Sequence, residues 1–593
     1  MTFDFVTFDW FIWLLLLLHA MEHIKSFWKW FYRGEGNKSI VISNPSTRKV
    51  LRLRKVPTQT KNDAKQTNEW TQINIKAPSI FPSNMREELT RNIDFCRDIF
   101  VPLLGEKYVH PGTLVDLPRD FVIGIKHLVT SENRDRPRHR LTKEVRADCG
   151  WGVLFPDACF VSECSQNSHP ETRPTFSVEI KPKLGTLPYC DTKCSKCDEQ
   201  SSAYHKARQS VCKYCLLQWE KVYKDGKYPR RSGYCPLDLF SNNTRRVLYA
   251  LMCLLKDPQN NLRIFKDGTL VYSGETNVPL NNSSQFDSAV PYVDPAPSAN
   301  DPVPNHNGTL LDLEDTLRSS FIASHRTVTS GNLFGQGDDT VPLDQCTMLI
   351  VTLLQLLVDD SNNGRTVDDD VLIPNPPVCA ESRYNDSVSF MNDIFQSHLD
   401  SSCISFGKSG ILNKIVEVQK LDKLGSDEVF KIYEDISNNA KLNDNILRSS
   451  KFTLEHPATD GVDGGTVTKQ VTLKYFEDES VHQSIFGMQN LTVSKSSPTG
   501  VGDELCIASK LNDIVKFLIA ATANDCSIMI SFQQIDDVPT SSTSYILEAV
   551  TGVYFKYSIA VVDLDPKNLS RIPKYHSEYH EIIKNYLHFS SKG

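Results

Sequence analysis

Val178-Glu179-Ile180-Lys181-Pro182-Lys183-Leu184-Gly185 sets two lysines and a carboxylate around one proline. Two ammonium groups on a rigid strand end are suited to holding phosphate. Pro182 fixes its own φ and drives Lys181 out of the helical region. Phe176 to Ile180 reads as the end of a strand, and Gly185 frees the chain to turn away. Extended alternation puts Glu179, Lys181 and Lys183 on one face, opposite Val178 and Ile180. In isolation the same string is a solvated Lys-Pro-Lys turn, so the phosphate reading depends on what else the chain carries.

Two acids supply the other half of the chemistry. Leu511, Ile514, Val515, Leu518 and Ile519 form a helical stripe that ends near Asn524-Asp525, and Ser527 to Phe532 reads as a buried strand. Val553 to Val562 is a second apolar strand, closed by Asp563-Leu564-Asp565-Pro566. Carboxylates at the edges of two central strands are what metal-assisted phosphoryl transfer needs. One accepts the proton of an attacking hydroxyl, and the other holds Mg²⁺ against a triphosphate. Most strand-end aspartates are only caps, so this inference leans on the lysines and on a glycine-rich turn. Arg33-Gly34-Glu35-Gly36-Asn37-Lys38-Ser39 lies between Phe31-Tyr32 and Ile40-Val41-Ile42. A Gly-x-Gly turn lets backbone N–H groups approach phosphate, although such a turn commonly serves only as a hairpin. Arg52, in the strand Lys49 to Lys55, stands where a kinase lysine would; otherwise it is a snorkelling edge arginine. Arg136-Pro137-Arg138-His139-Arg140 reads as a solvated basic loop in which Arg140 is a phosphate candidate.

Cys194-x2-Cys197 and Cys212-x2-Cys215, fourteen residues apart, suit one tetrahedral zinc, with Cys190 and His205 as spare ligands. The alternative is a set of reduced thiols. From Lys206 to Arg231 the chain carries eight lysines and arginines, Lys213 and Lys221 among them, against Glu220 and Asp225. That excess means a small polyanion site or a solvated face.

The elements that must position these groups are those of a chain of ordinary globular composition. It has 593 residues, 40% hydrophobic and 23% charged, so two or more domains are expected. The net charge of −7 argues against general nucleic-acid binding but leaves room for a local basic pocket. Sixteen cysteines in a chain this long read as metal ligands or free thiols in a reducing compartment, the cytoplasm or nucleus. The apolar run at residues 10–19 is too short to span a bilayer comfortably and has Asp4 and Asp9 where a signal peptide would be basic. Residues 1–28 are then a signal-like anchor touching membrane, a buried extension, or a stretch upstream of the true initiator; the third is favoured. Residues 29–150 form a helix-poor first domain, with a polar loop at 57–76, and residues 151–593 a second. The second carries a helix from Thr244 to Leu255, a hairpin from Leu262 to Tyr272 turning at Asp267-Gly268, and a largely helical stretch from Leu412 to Leu447. A further helix is expected over Thr347 to Leu357 and a final amphipathic one over Tyr579 to Phe589. Residues 276–308 read as a disordered insert, 359–370 as an acidic loop and 457–468 as a glycine-rich insert. Asn260 and Asn261, just before the hairpin, are carboxamides within reach of metal or phosphate, or plain turn residues.

Taken together these residues resemble the inositol-pentakisphosphate 2-kinase family. The matching pieces are Arg33 to Ser39, Cys96 to Phe100 with Pro102 to Gly105, Glu179 to Lys183, Cys212 to Cys215, Cys235 to Leu239, Gln259 to Asn261, Asp525 to Met529 and Asp563 to Asp565, in family order. The resemblance implies an α+β, two-lobed fold distantly like protein kinases, its N-lobe mainly β-sheet and its C-lobe mixed with inserts. It implies transfer of the ATP γ-phosphate to the 2-hydroxyl of inositol 1,3,4,5,6-pentakisphosphate, with Mg²⁺, in a monomer. By position Asp525 is the catalytic base, Asp563 the Mg²⁺ ligand, and Lys181 steadies the γ-phosphate. Gly34, Glu35, Gly36, Asn37, Arg52 and Glu179 belong to the nucleotide. Arg140, Lys183, Lys213, Lys221, Asn260, Lys567, Arg571 and Tyr575 hold inositol phosphates, with Asn261 at the metal or the phosphates. The chain departs from the family at Asn524, where lysine is frequent, and the zinc ligands of plant members have no match in its later helical region. Two rivals stand beside this reading: a zinc-stabilised binder of inositol phosphates or RNA, and an inositol-phosphate kinase of other positional specificity.

Overall fold

The computed structural model describes residues 30–58, 82–131, 136, 140–146, 150–161, 173–188, 199–274, 410–438, 501–535 and 554–592, with shorter pieces around 328–329, 340–341, 349–357, 379–380, 451–457, 466–472 and 545–547. The amino-terminal apolar run, Cys190, Cys194 and Cys197, the 276–308 and 359–370 segments, most of 57–76 and most of 347–357 lie outside the described residues. Among the described residues no helix is long and apolar enough to cross a membrane.

The protein is α+β, built on antiparallel sheets in two units: residues 1–160 with 267–269, and residues 161–266 with 270–593. In the first, β1 (Phe31–Glu35), β2 (Ser39–Asn44) and β3 (Lys49–Pro57) form a meander. β3 continues the sheet to β6 (Trp151–Pro156) and β4 (Thr113–Asp116), and β5 (Lys143–Val145) pairs with β3. Ile40, Ile42, Leu51 and Leu53 alternate inward, as strand periodicity demands, and meet Val122, Ile125 and Val129. Those three lie on a helix, α2 (Arg119–Ser131). α1 (Pro82–Phe95) runs into a further helical stretch, Cys96–Leu104, whose Ile99, Phe100, Leu103 and Leu104 are buried. The first unit is therefore not helix-poor: apolar residues recur at three- and four-residue spacing where only packed scaffold was expected.

The basic cluster is also not solvated throughout. Arg136 is buried and grips Glu35 with Nε at 2.7 Å and Nη2 at 3.1 Å, while Lys55 pairs with the same carboxylate. Burial alone would raise the Glu35 carboxyl, but Arg136 and Lys55 outweigh it and hold the group below its usual range. Its stabilising contribution is present above the ordinary carboxylate range and lost as pH falls through the lowered value. Glu35→Gln strands two buried cations, and should cost about 3–5 kcal/mol in urea unfolding. A loss under about 1 kcal/mol, the range of surface pairs, would contradict this.

In the second unit the sheet order is β13 (Tyr545–Leu547), β14 (Tyr554–Val562), β12 (Ser527–Ile535), β7 (Phe176–Ile180), β8 (Leu262–Lys266) and β9 (Thr269–Ser273). β7 is buried along its length and β12 along all but its last residue, because both are central. β14 alternates, with Phe555, Tyr557, Ile559 and Val561 inward. The β8–β9 turn has φ of 48° at Asp267 and 76° at Gly268, the left-handed pair a two-residue hairpin requires. Among the described residues the longer helices are α3 (Glu199–Ser210), α4 (Lys213–Trp219), α5 (Thr244–Lys256), α6 (Ile411–Gln419), α7 (Gly425–Asn438), α8 (Val501–Ala523) and α9 (Ile572–Ser590). α9 begins seven residues before the expected Tyr579, with Pro573 in its first turn. The flanks of the 457–468 insert pair as β10 (Lys451–Pro457) and β11 (Thr466–Thr472).

Candidate active site

Strand register brings the nominated residues of the second unit to one sheet edge. Ile180 pairs with both Ile528 and Leu262, and Ser527 pairs with Val562. Lys181 following β7, Asn261 preceding β8, Asp525 preceding β12 and Asp563 following β14 therefore leave the sheet at the same end. α8 stops just before this edge. The Asp525 N–H donates to Thr522 O at 3.1 Å, which closes the turn that delivers the carboxylate.

The side chains interleave. Lys181 Nζ lies 3.6 Å from Glu179 Oε1 and 4.0 Å from Asp563 Oδ2. Lys183 Nζ is 3.9 Å from Asp525 Oδ1, and Lys567 Nζ is 2.7 Å from Asp525 Oδ2. Burial would raise the Asp525 carboxyl, but Lys567, Lys183 and Lys213 reverse that and hold it low. Burial, opposed by Asp525, lowers Lys183; burial also lowers Lys213. Both acids keep about half of their side-chain surface exposed, at 54% and 53%, so each is open to a ligand. Glu179 is buried and accepts from Ser527 Oγ at 2.9 Å.

The lysine segment is pinned residue by residue. The Lys181 N–H donates to Asn261 O at 2.8 Å, and Asn261 Nδ2 donates back to Lys181 O at 2.9 Å. Tyr234 Oη donates to Pro182 O at 2.7 Å. Gln419 Nε2 donates to Lys183 O at 2.9 Å, and the Gly185 N–H donates to Gln419 Oε1 at 2.8 Å. A Cβ on Gly185 would sit 2.1 Å from Phe240 Cδ2, so glycine is required for close approach. β7 ends at Ile180, and Lys183 adopts φ of 64°. The extended alternation expected through Lys183 thus stops at the proline, and Lys183 reaches Asp525 by a left-handed turn. Asn261, 1% exposed, spends its carboxamide on Lys181 and on Tyr214, whose hydroxyl is 3.3 Å away. It positions the lysine rather than facing a ligand. Asn260 Oδ1, by contrast, is buried with no hydrogen-bond partner among the described residues.

The basic stretch divides. Arg208 pairs with Asp427, Lys224 with Glu581 and Arg230 with Asp257, while Arg231 lies 4.0 Å over the Trp219 ring. Lys213 sits over Tyr579, and Lys221 over Tyr214 and Tyr228. Burial together with the nearby charges of Lys183 and Lys227 pushes Lys221 down to about 8. Tyr575 is raised by burial, and Arg571 stands exposed one residue before α9.

The cysteine pairing differs from the expected one. Cys212 and Cys215 converge with Cys235 and Cys379, all buried, their sulfurs within 4.8 Å of one another. Among the described residues these four sulfurs suffice for a tetrahedral site, and Cys194 and Cys197 lie outside the described residues. Cys212 caps α4, Cys235 stands just before a single helical turn, Pro236–Leu239, and the Cys212 N–H reaches Cys379 Sγ at 3.3 Å. Cys212 Sγ and Cys235 Sγ are 3.8 Å apart. A tetrahedral zinc with Zn–S of about 2.3 Å separates its sulfurs by about 3.8 Å, so this donor set fits zinc.

In the first unit, Gly36 N–H donates to Ser39 O at 2.9 Å and closes the turn. Asn37 Oδ1 accepts from Arg140, and Asn37 O accepts from Lys143 Nζ at 3.1 Å. A Cβ at Gly34 or Gly36 would meet nothing within 4 Å, and neither has positive φ. The chain's own packing does not require glycine there, which leaves room for a ligand over the backbone. The Glu35 side chain is spent on Lys55 and Arg136, so only its backbone faces that space. Arg52 is half-buried on β3, opposite Val41 and Val153. Lys55, which no motif in the sequence marks, fixes the loop's carboxylate together with Arg136.

Comparison with known proteins identifies the family. A model of the inositol-pentakisphosphate 2-kinase family matches residues 32–580. An inositol-pentakisphosphate 2-kinase from Danio rerio is 29% identical over 558 residues, covering 94% of this chain and 93% of its own length. One from Arabidopsis thaliana is 24% identical over 579 residues, covering 94% and 93%. One from Drosophila melanogaster is 27% identical over 313 residues, covering 42% of this chain and 49% of its own. The first match encloses both lysines of the Lys-Pro-Lys segment and both strand-end acids, and the chain belongs to the inositol-pentakisphosphate 2-kinase family.

Proposed function

We propose that the chain transfers the γ-phosphate of ATP to the 2-hydroxyl of inositol 1,3,4,5,6-pentakisphosphate, giving inositol hexakisphosphate, with the two units as the lobes of a kinase-like fold. The observation that carries this reading is the clustering of Lys181, Lys183, Asp525, Asp563 and Lys567 at one sheet edge. Asp525 takes the hydroxyl proton. Its carboxyl is held ionised by three lysines, so it is ready to accept at neutral pH. Lys181, clamped by Asn261, neutralises charge on the transferred phosphoryl group. Asp563 would hold Mg²⁺, which supplies charge neutralisation on the triphosphate when bound. The Gly34–Gly36 backbone, Asn37, Arg52 and Glu179 belong to the nucleotide, Glu179 acting through Lys181, which it faces at 3.6 Å. Arg140, Lys183, Lys213, Lys221, Asn260, Lys567, Arg571 and Tyr575 receive inositol phosphates. A substrate of such charge needs many fixed donors, and positioning and electrostatics supply most of the catalysis in phosphoryl transfer. The test against a mere binder is ADP release from Mg-ATP with and without the pentakisphosphate. Release that depends on it supports a kinase, and tight binding without release contradicts one.

Lys221 gives this reading a pH signature. It is charged below about 8 in the free protein and neutral above. A polyanion binds the charged form, so KM for the pentakisphosphate should rise as pH passes 8. Lys221→Arg should flatten that rise, and an unchanged profile would remove Lys221 from the substrate site.

Zinc on Cys212, Cys215, Cys235 and Cys379 would fix the start of α4, and Lys213 stands inside that knuckle. Cys379→Ser should therefore lower the thermal midpoint and raise KM for the pentakisphosphate roughly tenfold, with less effect on kcat. Equal KM values in steady-state assays would separate the cysteine site from substrate binding.

A further inference from the structure

A second group of metal-ligand side chains lies apart from the cysteines. His576 and His580, four residues apart on α9, share one helix face. Asp427, in the first turn of α7, completes the group. His580 Nε2 is 3.0 Å from His576 Nε2 and 3.1 Å from Asp427 Oδ1, and His576 Nε2 is 3.6 Å from the same oxygen. Two imidazole nitrogens and one carboxylate oxygen thus lie within 3.6 Å of one another. An ion held about 2.0–2.1 Å from each of three donors in tetrahedral array separates them by about 3.3 Å, within the observed spread.

The surroundings orient each donor. His580 Nδ1 is 2.8 Å from Tyr204 Oη on α3, a contact that leaves Nε2 for the centre. Arg208 takes the other oxygen of Asp427, so Oδ1 is the one presented. The His576 ring stacks on Phe430 with centroids 4.3 Å apart and planes 15° from parallel. The three donors are partly exposed, at 26%, 34% and 18%, so an ion has access and a fourth position can hold water.

We infer that Asp427, His576 and His580 form a second metal site, taking a zinc-class divalent ion with nitrogen and oxygen donors. The ion ties α9 to α7 one residue beyond Tyr575. The inference does not rest on the kinase reading or on occupancy of the cysteine site.

The test is cobalt(II) titration of the full metal-depleted chain, with zinc stoichiometry measured in parallel. Cobalt on thiolates gives intense sulfur-to-metal charge transfer, whereas cobalt on imidazole and carboxylate gives only weak visible bands. Wild type should show a thiolate-free component that saturates at micromolar metal. His576→Ala and Asp427→Asn should lose that component and about one equivalent of zinc, with the charge-transfer band unchanged. No thiolate-free component in wild type, or one that appears only at millimolar metal, would overturn the site and leave a hydrogen-bonded His–His–Asp cluster. So would equal zinc content in wild type and Asp427→Asn. The wild-type titration decides even if a variant fails to fold.

Discussion

Asp525→Asn should lower kcat by about 10²–10⁴-fold, the range expected on removing a general base, while the protein stays folded. The substitution keeps shape and size but removes the acceptor. The carboxylate is 54% exposed, so little packing depends on it. Its charge is nonetheless shared by Lys183, Lys567 and Lys213, and the amide leaves those cations facing one another. Pentakisphosphate binding should survive, because the vacated cations favour a polyanion. Single-turnover assays beside a binding isotherm separate the two effects. Normal turnover would remove the base assignment, and loss of binding together with loss of fold would make Asp525 structural.

Asp563→Asn should also cost activity, by about 10²–10³-fold, for a different reason. Asp563 has φ of 65°, a left-handed conformation that asparagine tolerates as well as aspartate. The backbone that leaves β14 is then undisturbed, and only the anionic ligand is lost. Lys181, 4.0 Å away, keeps Glu179 at 3.6 Å and stays in place. Because the lost group binds metal, raised Mg²⁺ should recover part of the activity in Asp563→Asn and none in Asp525→Asn. Equal response of the two variants to Mg²⁺ would contradict their separate roles.

Much of the site was legible because its parts carry local signals. The buried strand before Lys181, the helix that stops at Asn524-Asp525 and the apolar strand before Asp563 all show in hydrophobic periodicity, and Asp267-Gly268 marks its own hairpin. What was hidden is long-range. Gln419 clamps Lys183 and Gly185 from more than 230 residues away, and no local pattern announces a partner at that distance. Cys235 and Cys379 join Cys212 and Cys215 although neither belongs to a Cys-x2-Cys pair, so spacing pointed to the nearer Cys194 and Cys197. Glu35 looks like a loop residue in the sequence because its burial depends on Lys55 and Arg136, 20 and 101 positions away. The alternation drawn through Lys183 failed at the proline, where the strand ends and period two no longer applies.

The most direct test of the whole account is the regiochemistry of the product formed from Mg-ATP and inositol 1,3,4,5,6-pentakisphosphate, read by phosphorus NMR. Phosphate on the axial 2-hydroxyl, giving the symmetric hexakisphosphate, is the predicted result. A pyrophosphate on an existing phosphate, with the 2-hydroxyl left free, would contradict it.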